Sequence, residues 1–369
     1  MENTKENIVE KPIKISEVDY RSNAFDLLKM IAAFIVLFSH SFRHFNIAKP
    51  IYSLFFTDGA TGVIIFFAIT GFVMMPSWEK MQGKKHSYLK FMFNRFMRIY
   101  PALWLSFIII SIANIFVMKI NIFSLDYLFY TIKYCIFARG SGFGANGISN
   151  GVLWTIWPDI VFYLITPLVY KVMKNQKTWV WIVVILVFWQ FNVWDAEVIA
   201  FCQKIPNVKY LVTETFTLCF LYEFLIGCFL YFKRNTIIAF FVNNKIWAWL
   251  WLFVFTVFFV FYEYFDFMPK TGIMHTPWFG IMIAPLSIIL AFVIGKIRIK
   301  RELSYSIFLF HMVIVQILKS FNIVGVIGIL LTALITPIVA FLSRILVEEP
   351  FLKLKLGSKK LEKEKKTSI

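Results

Sequence analysis

The sequence is poor in charged residues and in cysteine, and each shortage excludes a class of protein. Charged residues make up only 16% of the 369 positions, whereas a soluble domain carries about 25%, so a water-exposed globular protein is excluded. The four cysteines show no CxxC or Cys/His spacing, so we expect neither a metal site nor a redox pair. Residues 1–22 lack the regions of a secretory signal, so no cleaved leader is expected.

Long apolar runs are abundant instead. Hydrophobic residues make up 59% of the chain, and the aromatic residues include 44 Phe. Because a membrane helix needs about 17–25 mostly apolar residues, the pattern predicts an all-α, polytopic integral membrane bundle of about ten transmembrane helices. The predicted spans lie near 25–44, 60–77, 97–118, 151–172, 178–195, 211–232, 243–262, 277–295, 303–319 and 321–347. The apolar segment Leu125–Phe137 is too short to span comfortably and is expected to be an interfacial helix.

The distribution of basic residues orients this bundle. Of the 38 Lys and Arg, 27 lie on the side of the N-terminus and 9 on the opposite side. Since Lys and Arg concentrate in cytoplasmic loops, both termini are expected in the cytoplasm. The net charge of +17 then has a topological explanation, and no nucleic acid partner is expected. We predict a cytoplasmic tail over 1–22, a membrane domain over 23–350 and a basic cytoplasmic tail over 351–369 that can touch anionic membrane lipid.

The first predicted helix carries ionisable residues within an apolar segment. Asp26 lies three residues before Lys29, and Lys29 lies eleven residues before His40. Eleven residues make about three turns and about 16 Å, so the three side chains share one face. Ionisable groups inside a span are costly and mark functional sites. The alternative is that Lys29 extends to the interface and His40 packs between helices.

Further polar residues stand at or inside the predicted spans. Arg95 and Arg98 share a helix face at the cytoplasmic side, where paired guanidinium groups suit phosphates; topological anchoring is the alternative. Asp159 is an acid just inside the fourth span and needs a cationic or hydrogen-bonding partner. His311 is a second intramembrane imidazole, for which helix packing is the alternative.

Six short motifs in order along the chain resemble the acyltransferase-3 family of integral-membrane O-acyltransferases, the polysaccharide and peptidoglycan O-acetylase group. They are a basic-x10-His pattern at Lys29 and His40, the segment Gly62–Phe72 with Thr70 in place of Ser, Arg-x-x-Arg at Arg95 and Arg98, the segment Leu153–Tyr163 with Trp154 and with Asp159 in place of Glu, Ser304-Tyr305 leading to His311, and Glu348-x-Pro350.

This resemblance implies an enzyme with about ten helices and cytoplasmic termini in the cytoplasmic membrane of a bacterium. The implied reaction moves an acyl group, acetyl above all, from cytosolic acyl-CoA to a sugar hydroxyl of an envelope glycan or its lipid-linked precursor. Some relatives carry a fused extracellular esterase-like domain, which is not expected here, so the chain is expected to complete the reaction itself or to use a separate extracytoplasmic partner. The alternative function is a secondary transporter of a small or lipid-linked substrate, since broken helices with intramembrane charges are also typical of transporters.

The resemblance also assigns roles to the residues. His40 would be general base or transient acyl acceptor, Lys29 would hold a phosphate or stabilise the oxyanion, and Asp159 would orient an imidazole or pair with an arginine. Arg95 and Arg98 would bind the phosphates of acetyl-CoA or another acyl-CoA. Supporting roles fall to Asp26, Thr70, Trp154, Tyr163, Ser304, Tyr305 and His311.

Overall fold

The structure is a computed structural model that describes residues 17–47, 59–139, 147–194, 197, 200–201, 204, 217–265 and 277–354, with the backbone alone for 262–265. In these ranges the chain forms helices and no strands. The helices are α1 (Phe25–His44), α2 (Gly59–Glu79), α3 (Ser87–Phe116), α4 (Leu125–Phe137), α5 (Ile156–Met173), α6 (Thr178–Val193), α7 (Leu221–Phe232), α8 (Ile237–Asn243), α9 (Lys245–Phe265), α10 (Pro277–Ile294), α11 (Ser304–Ser320), α12 (Gly325–Ser343) and α13 (Glu349–Leu352). A short 3₁₀ turn, Gly151–Thr155, leads into α5, and a π-helical turn, Arg344–Glu348, joins α12 to α13.

Six helical segments of the described chain are long and apolar enough to cross a membrane. A seventh candidate is a pair of helices bent by 74°, Thr217–Phe232 and Ile237–Asn243. Three further apolar helices are shorter over the residues whose side chains are described, namely Thr178–Val193, Lys245–Phe261 within α9 and Ser304–Ser320. The predicted all-α polytopic membrane bundle is therefore confirmed, while the number of crossings and the side on which the termini lie stay predictions.

Helix α3 begins earlier than the sequence pattern suggests. The predicted span starts near 97, but the helix starts at Ser87, so Arg95 and Arg98 lie in its interior rather than at its first turn. The apolar stretch marks only the part of α3 that suits lipid, and the helix continues through the polar residues before it. Both arginines are therefore held on a rigid helical backbone.

Helix α4 runs alongside α3, and its interfacial position stays a prediction. Tyr127 donates its hydroxyl to Ser111 Oγ at 2.8 Å, and the Trp104 indole donates to the carbonyl of Cys135 at 3.0 Å. As residue numbers rise in α4 they fall in α3, so the two helices are antiparallel. Helix α4 is therefore tied to α3 by hydrogen bonds from side chains of both helices.

Helix α2 forms the centre of the bundle. It is apolar on all sides and mostly buried inside the bundle, whereas most of Gly325–Leu352 is not buried. A Cβ built on Gly71 would lie 1.9 Å from the carbonyl oxygen of Phe224, and one on Gly227 would lie 2.0 Å from that of Ala68. Helices α2 and α7 therefore cross in backbone contact, which only glycine permits. Another face of α2 borders the cavity described below.

The predicted tails fall mostly outside the described residues. Of the N-terminal tail only 17–22 is described, and of the C-terminal tail only 351–354. The domain boundaries at 23 and 350 stay predictions.

Candidate active site

An inner cavity of about 110 Å³ lies between α2, α3, α5 and α11, with α1 at its edge. The structure brings together in its wall eight of the residues that the sequence singles out, although they come from five different helices. They are Lys29, Thr70, Arg95, Arg98, Asp159, Tyr163, Ser304 and Tyr305. The remaining lining is mainly apolar, so the polar side chains face a confined space in which few other groups compete for a ligand.

Arg95 is held in the wall of the inner cavity by several contacts. Its guanidinium donates to Ser77 Oγ and lies 5.3 Å from the ring centroid of Phe91 and 5.8 Å from that of Tyr163. Its Nε is buried and has no hydrogen-bond acceptor among the described residues. A buried guanidinium with a spare donor is suited to bind an anion that enters the cavity.

Asp159 stands in the same wall with a spare acceptor. One carboxylate oxygen has a hydrogen bond with the hydroxyl of Thr70. The other oxygen, Oδ1, is buried and has no partner in the described part of the chain. An unpaired buried carboxylate oxygen is costly, so this atom is a candidate contact for a donor group of a ligand.

A charged cluster lies where α1, α3 and the start of α11 meet. Lys29 Nζ is 3.3 Å from a carboxylate oxygen of Asp26 and 3.1 Å from one of Glu302, and Arg98 is 3.9 Å from the same oxygen of Glu302. Lys29 is thus held between two carboxylates. This leaves Lys29 less available for a phosphate than its sequence pattern suggests, and Arg98 is the more available of the two cations.

Sequence reasoning missed Glu302. Its Oε1 accepts the backbone N–H of Ser304 at 2.7 Å, so it satisfies a free donor at the start of α11. Burial alone would raise the pKa of this carboxyl, but Lys29, Arg98 and the hydrogen bonds from Ser304 outweigh burial and lower the pKa to about 2. The signal that could have found Glu302 is an acid two residues before an apolar helix that starts with serine.

A second, outer cavity adjoins the inner one. Its volume is about 280 Å³, and Lys29, Val73 and Arg98 line both cavities. Asp26, which the sequence placed in a supporting role, lines this outer cavity and not the inner one. The two spaces therefore meet at the charged cluster.

His40 and His311 form a hydrogen-bonded pair across α1 and α11. The distance from His40 Nδ1 to His311 Nε2 is 2.9 Å, and the rings stack with centroids 5.1 Å apart. The other ring nitrogen of His311, Nδ1, lies 3.2 Å from the carbonyl oxygen of Ile307. A carbonyl oxygen only accepts, so Nδ1 of His311 carries the proton and its Nε2 accepts from Nδ1–H of His40. This leaves Nε2 of His40 with a free lone pair.

The histidine pair lies just beyond the inner cavity and does not line it. Phe308 lines the cavity and packs edge-on against the His311 ring, with centroids 5.9 Å apart. Phe66, also in the lining, packs edge-on against Phe308 at 5.6 Å. Two aromatic rings therefore stand between the polar cavity and the imidazoles.

Three other motif positions have roles in packing. Trp154 does not line the inner cavity and packs against Phe220 with ring centroids 5.4 Å apart. Tyr305, besides lining the cavity, donates to the carbonyl of Ile99 at 2.9 Å. Glu348 accepts from Ser343 at 3.1 Å and from Ser306. The Glu348-x-Pro350 motif therefore ties the end of α12 to α11.

Comparison with known proteins gives a family match and two relatives. Residues 22–347 match the acyltransferase-3 model, described as “Acyltransferase domain”. “Nodulation protein 10” of Rhizobium leguminosarum bv. viciae is 30% identical over 172 residues, covering 42% of this chain and 46% of the relative. “O-acetyl transferase” of Shigella phage Sf6 is 31% identical over 182 residues, covering 46% of this chain and 51% of the relative. The chain thus spans about half the length of these curated relatives, and no solved structure matches it.

Proposed function

Because the chain belongs to the acyltransferase-3 family, we propose that it transfers an acyl group, acetyl in the first place, from cytosolic acyl-CoA to a sugar hydroxyl. The acceptor is a glycan of the bacterial cell envelope or its lipid-linked precursor. The observation that carries the proposal is the His40–His311 pair one helical turn beyond a cavity lined by arginines. The relative named “O-acetyl transferase” supports an acetyl donor.

The donor enters from the charged end of the inner cavity. Arg98 and the buried Arg95 provide guanidinium groups there, and guanidinium forks suit phosphate oxygens better than a lysine ammonium does. Lys29 forms ion pairs with Asp26 and Glu302. We therefore assign Lys29 a structural role: it holds Glu302 in place, and Glu302 in turn contacts Arg98. The pantetheine arm then lies in the inner cavity, where the free oxygen of Asp159 can accept from an amide N–H of the arm.

His40 is the general base of the proposed reaction. The oxygen of the sugar hydroxyl attacks the thioester carbonyl carbon while Nε2 of His40 takes the hydroxyl proton. The carbon–sulfur bond then breaks, the thiolate of CoA leaves, and His40 returns the proton to that sulfur. General-base catalysis of this kind contributes about 10²–10⁴-fold. His311 is a positioning residue, because it holds the Nδ1–H of His40 and so directs the lone pair of Nε2 toward the acceptor.

The thioester reaches His40 by movement of the two aromatic rings. Phe66 and Phe308 separate the cavity from the histidines. Rotation of these two side chains about χ1 is the movement assigned to opening the barrier. Until a donor is bound, the barrier keeps water from the base, which limits hydrolysis of the thioester.

One observation favours a second candidate, a transporter. The helix pair Thr217–Phe232 and Ile237–Asn243 is bent by 74°, and interrupted helices beside intramembrane charges are typical of secondary transporters. A transporter does not require a histidine with a free lone pair beside a cavity lined by arginines, so this candidate ranks second.

The test compares the envelope glycans and lipid-linked sugars of cells with and without the gene by mass spectrometry. We expect one acylated species to disappear with the gene, to return with the wild-type chain and to stay absent with His40→Gln. Return of the species with His40→Gln at normal protein levels would contradict the catalytic role of His40. Glycans that are unchanged by the deletion, together with altered uptake or export, would favour the transporter.

A further inference from the structure

The outer cavity carries more positive charge than its acids balance. Four cations line it besides Lys29, and the acid in its described lining is Asp26. The four cations are Arg21, Lys80, Arg98 and Arg298. A concave space lined mainly by one sign of charge concentrates ligands of the opposite sign, so the cavity is suited to an anion.

The nearby carboxylates are already engaged by other groups. Asp26 contacts Lys29 at 3.3 Å and is 4.0 Å from Arg298, so it neutralises about one of these two charges. Arg21 and Lys80 both lie against the ring of Tyr20, at 5.5 and 5.6 Å from its centroid. The nearby Asp19 accepts the backbone N–H of Arg21 at 2.9 Å. Arg21 and Lys80 therefore offer charge that no carboxylate in the described cavity lining balances, and Arg298 shares Asp26 with Lys29.

The junction of the two cavities fixes how an acyl-CoA would lie. Arg98 lines both spaces, so a pyrophosphate bound there places one end of the donor in each cavity. From the level of Lys29 to that of His40, α1 covers about 16 Å, a reach comparable to an extended pantetheine arm. With the arm in the inner cavity, the nucleotide end falls in the outer one.

We propose that the outer cavity binds the 3′-phosphorylated adenosine end of the donor, with Arg21, Lys80 and Arg298 around the 3′-phosphate. This inference rests on the proposed acyl-CoA donor and deepens it, because it makes the protein select CoA thioesters over 3′-dephospho-CoA thioesters. The three cations stand on the segment before α1, on the turn after α2 and on the segment between α10 and α11, so the site is complete only in the folded bundle.

The experiment measures the affinity of the purified full-length protein for acetyl-CoA and for acetyl-3′-dephospho-CoA. Nanodiscs of phosphatidylcholine carry no net charge, so anionic lipid does not compete for the same cations. We expect the wild-type protein to prefer acetyl-CoA by roughly tenfold or more, since a charge-assisted bond to phosphate is lost with the dephospho compound. The double variant Arg21→Gln/Arg298→Gln should lower this preference to near one by weakening acetyl-CoA binding alone. Lys84→Gln, a nearby cation outside the cavity lining, is the matched control and should keep the full preference.

The outcomes separate this inference from the function on which it rests. Equal wild-type affinity for the two donors, with acyl transfer from both, would overturn the 3′-phosphate site and leave the acyltransferase intact. A double variant that weakens both donors equally would place the cations on the pyrophosphate and would also overturn the inference. If the wild-type protein neither binds nor uses either donor, the acyl-CoA donor itself is wrong. The comparison of the two donors on the wild-type protein can overturn the inference even if a variant fails to fold.

Discussion

Two groups of ionisable side chains inside this bundle differ in how they are satisfied. The charged cluster of Asp26, Lys29, Arg98 and Glu302 consists of opposite charges 3.1–3.9 Å apart beside two cavities. The histidine pair has no carboxylate partner among its described contacts and is satisfied by one shared proton and by backbone carbonyls, including those of Val36 and Ile307. The charged side chains of the cluster are stabilised by their counter-charges and by the adjoining cavities. The His40–His311 pair beyond Phe308 is uncharged and can accept a single proton.

This difference assigns donor binding to the charged cluster and catalysis to the histidine pair. In a cluster of paired charges, a cation can exchange its carboxylate partner for a phosphate while every charge keeps a partner of opposite sign. An imidazole pair with a fixed tautomer cannot bind an anion in that way, but it presents a lone pair in a constant direction. Substitutions in the cluster should therefore change donor affinity or stability, and those in the pair should change turnover.

The largest expected effect comes from His40→Gln. Glutamine keeps the approximate size and a hydrogen bond to His311 but cannot act as a base, so turnover should fall by roughly 10²–10⁴-fold with little change in thermal stability. Release of free CoA from acetyl-CoA in the presence of an envelope extract gives the rate. A well-folded His40→Gln protein with near wild-type turnover would return His40 to a packing role. The next imidazoles to test would be His311 and His44, whose ring lies 6.4 Å from that of His40 at the end of α1.

Arg98→Ala should act on the other group and mainly on the donor. Loss of one guanidinium contact should weaken acetyl-CoA binding by roughly 10–100-fold, with a smaller effect on the maximal rate. Arg98→Lys should rescue only part of the affinity, because a lysine lacks the bidentate fork. Binding assays on purified variants measure this, and unchanged affinity in both Arg95→Ala and Arg98→Ala would reduce the arginines to topological anchors.

A double-mutant cycle should sharpen the view that Lys29 is structural. Lys29→Met leaves Asp26 and Glu302 facing each other and should destabilise the protein by about 3 kcal/mol. Glu302→Gln alone should cost less, and the double variant should cost less than the sum because the two side chains are in contact. Thermal unfolding in detergent gives the energies. Additive effects would mean that the 3.1 Å contact carries no coupling.

The smallest expected effect is a pH dependence from Glu302. Its pKa falls from the usual 4.5 to about 2 in the folded chain. A carboxyl whose pKa is lowered by folding stabilises the folded state fully above its ordinary pKa and loses that contribution as the pH falls toward the folded value. Between pH 6 and pH 3 the wild-type protein should therefore lose more thermal stability than Glu302→Gln. Parallel curves for the two proteins would contradict the ion pair.

The fold class and most residues of the candidate site could be predicted from the sequence, but the contacts between those residues could not. Apolar runs suffice to predict a helical membrane bundle, and the spacing of Lys29 and His40 on α1 follows from helix periodicity. The contact between His40 and His311 joins residues 271 positions apart, and no local period encodes such a distance. The same reason hid the role of Glu302, whose partner Lys29 stands 273 positions earlier.

One local expectation, the start of α3, was too narrow because it was read from hydropathy alone. The polar start of α3 is helical although its residues do not suit lipid. The hydrogen bonds between α3 and α4 could not be read from composition either, because they join side chains and backbone of two different helices. Composition describes the solvent that a segment prefers, whereas the structure is set by the neighbours that it meets.

The most direct test of the division between binding and chemistry uses sided membrane vesicles that contain the protein. Radiolabelled acetyl-CoA is added outside inverted vesicles, which expose the cytoplasmic face, and outside right-side-out vesicles, and incorporation of label into envelope glycan or lipid-linked sugar is followed. We predict incorporation in inverted vesicles alone, and its loss with His40→Gln while acetyl-CoA binding is retained. Equal incorporation in intact vesicles of both orientations, or label transfer that persists in the His40→Gln protein, would contradict a cytoplasmic donor site coupled to a histidine base.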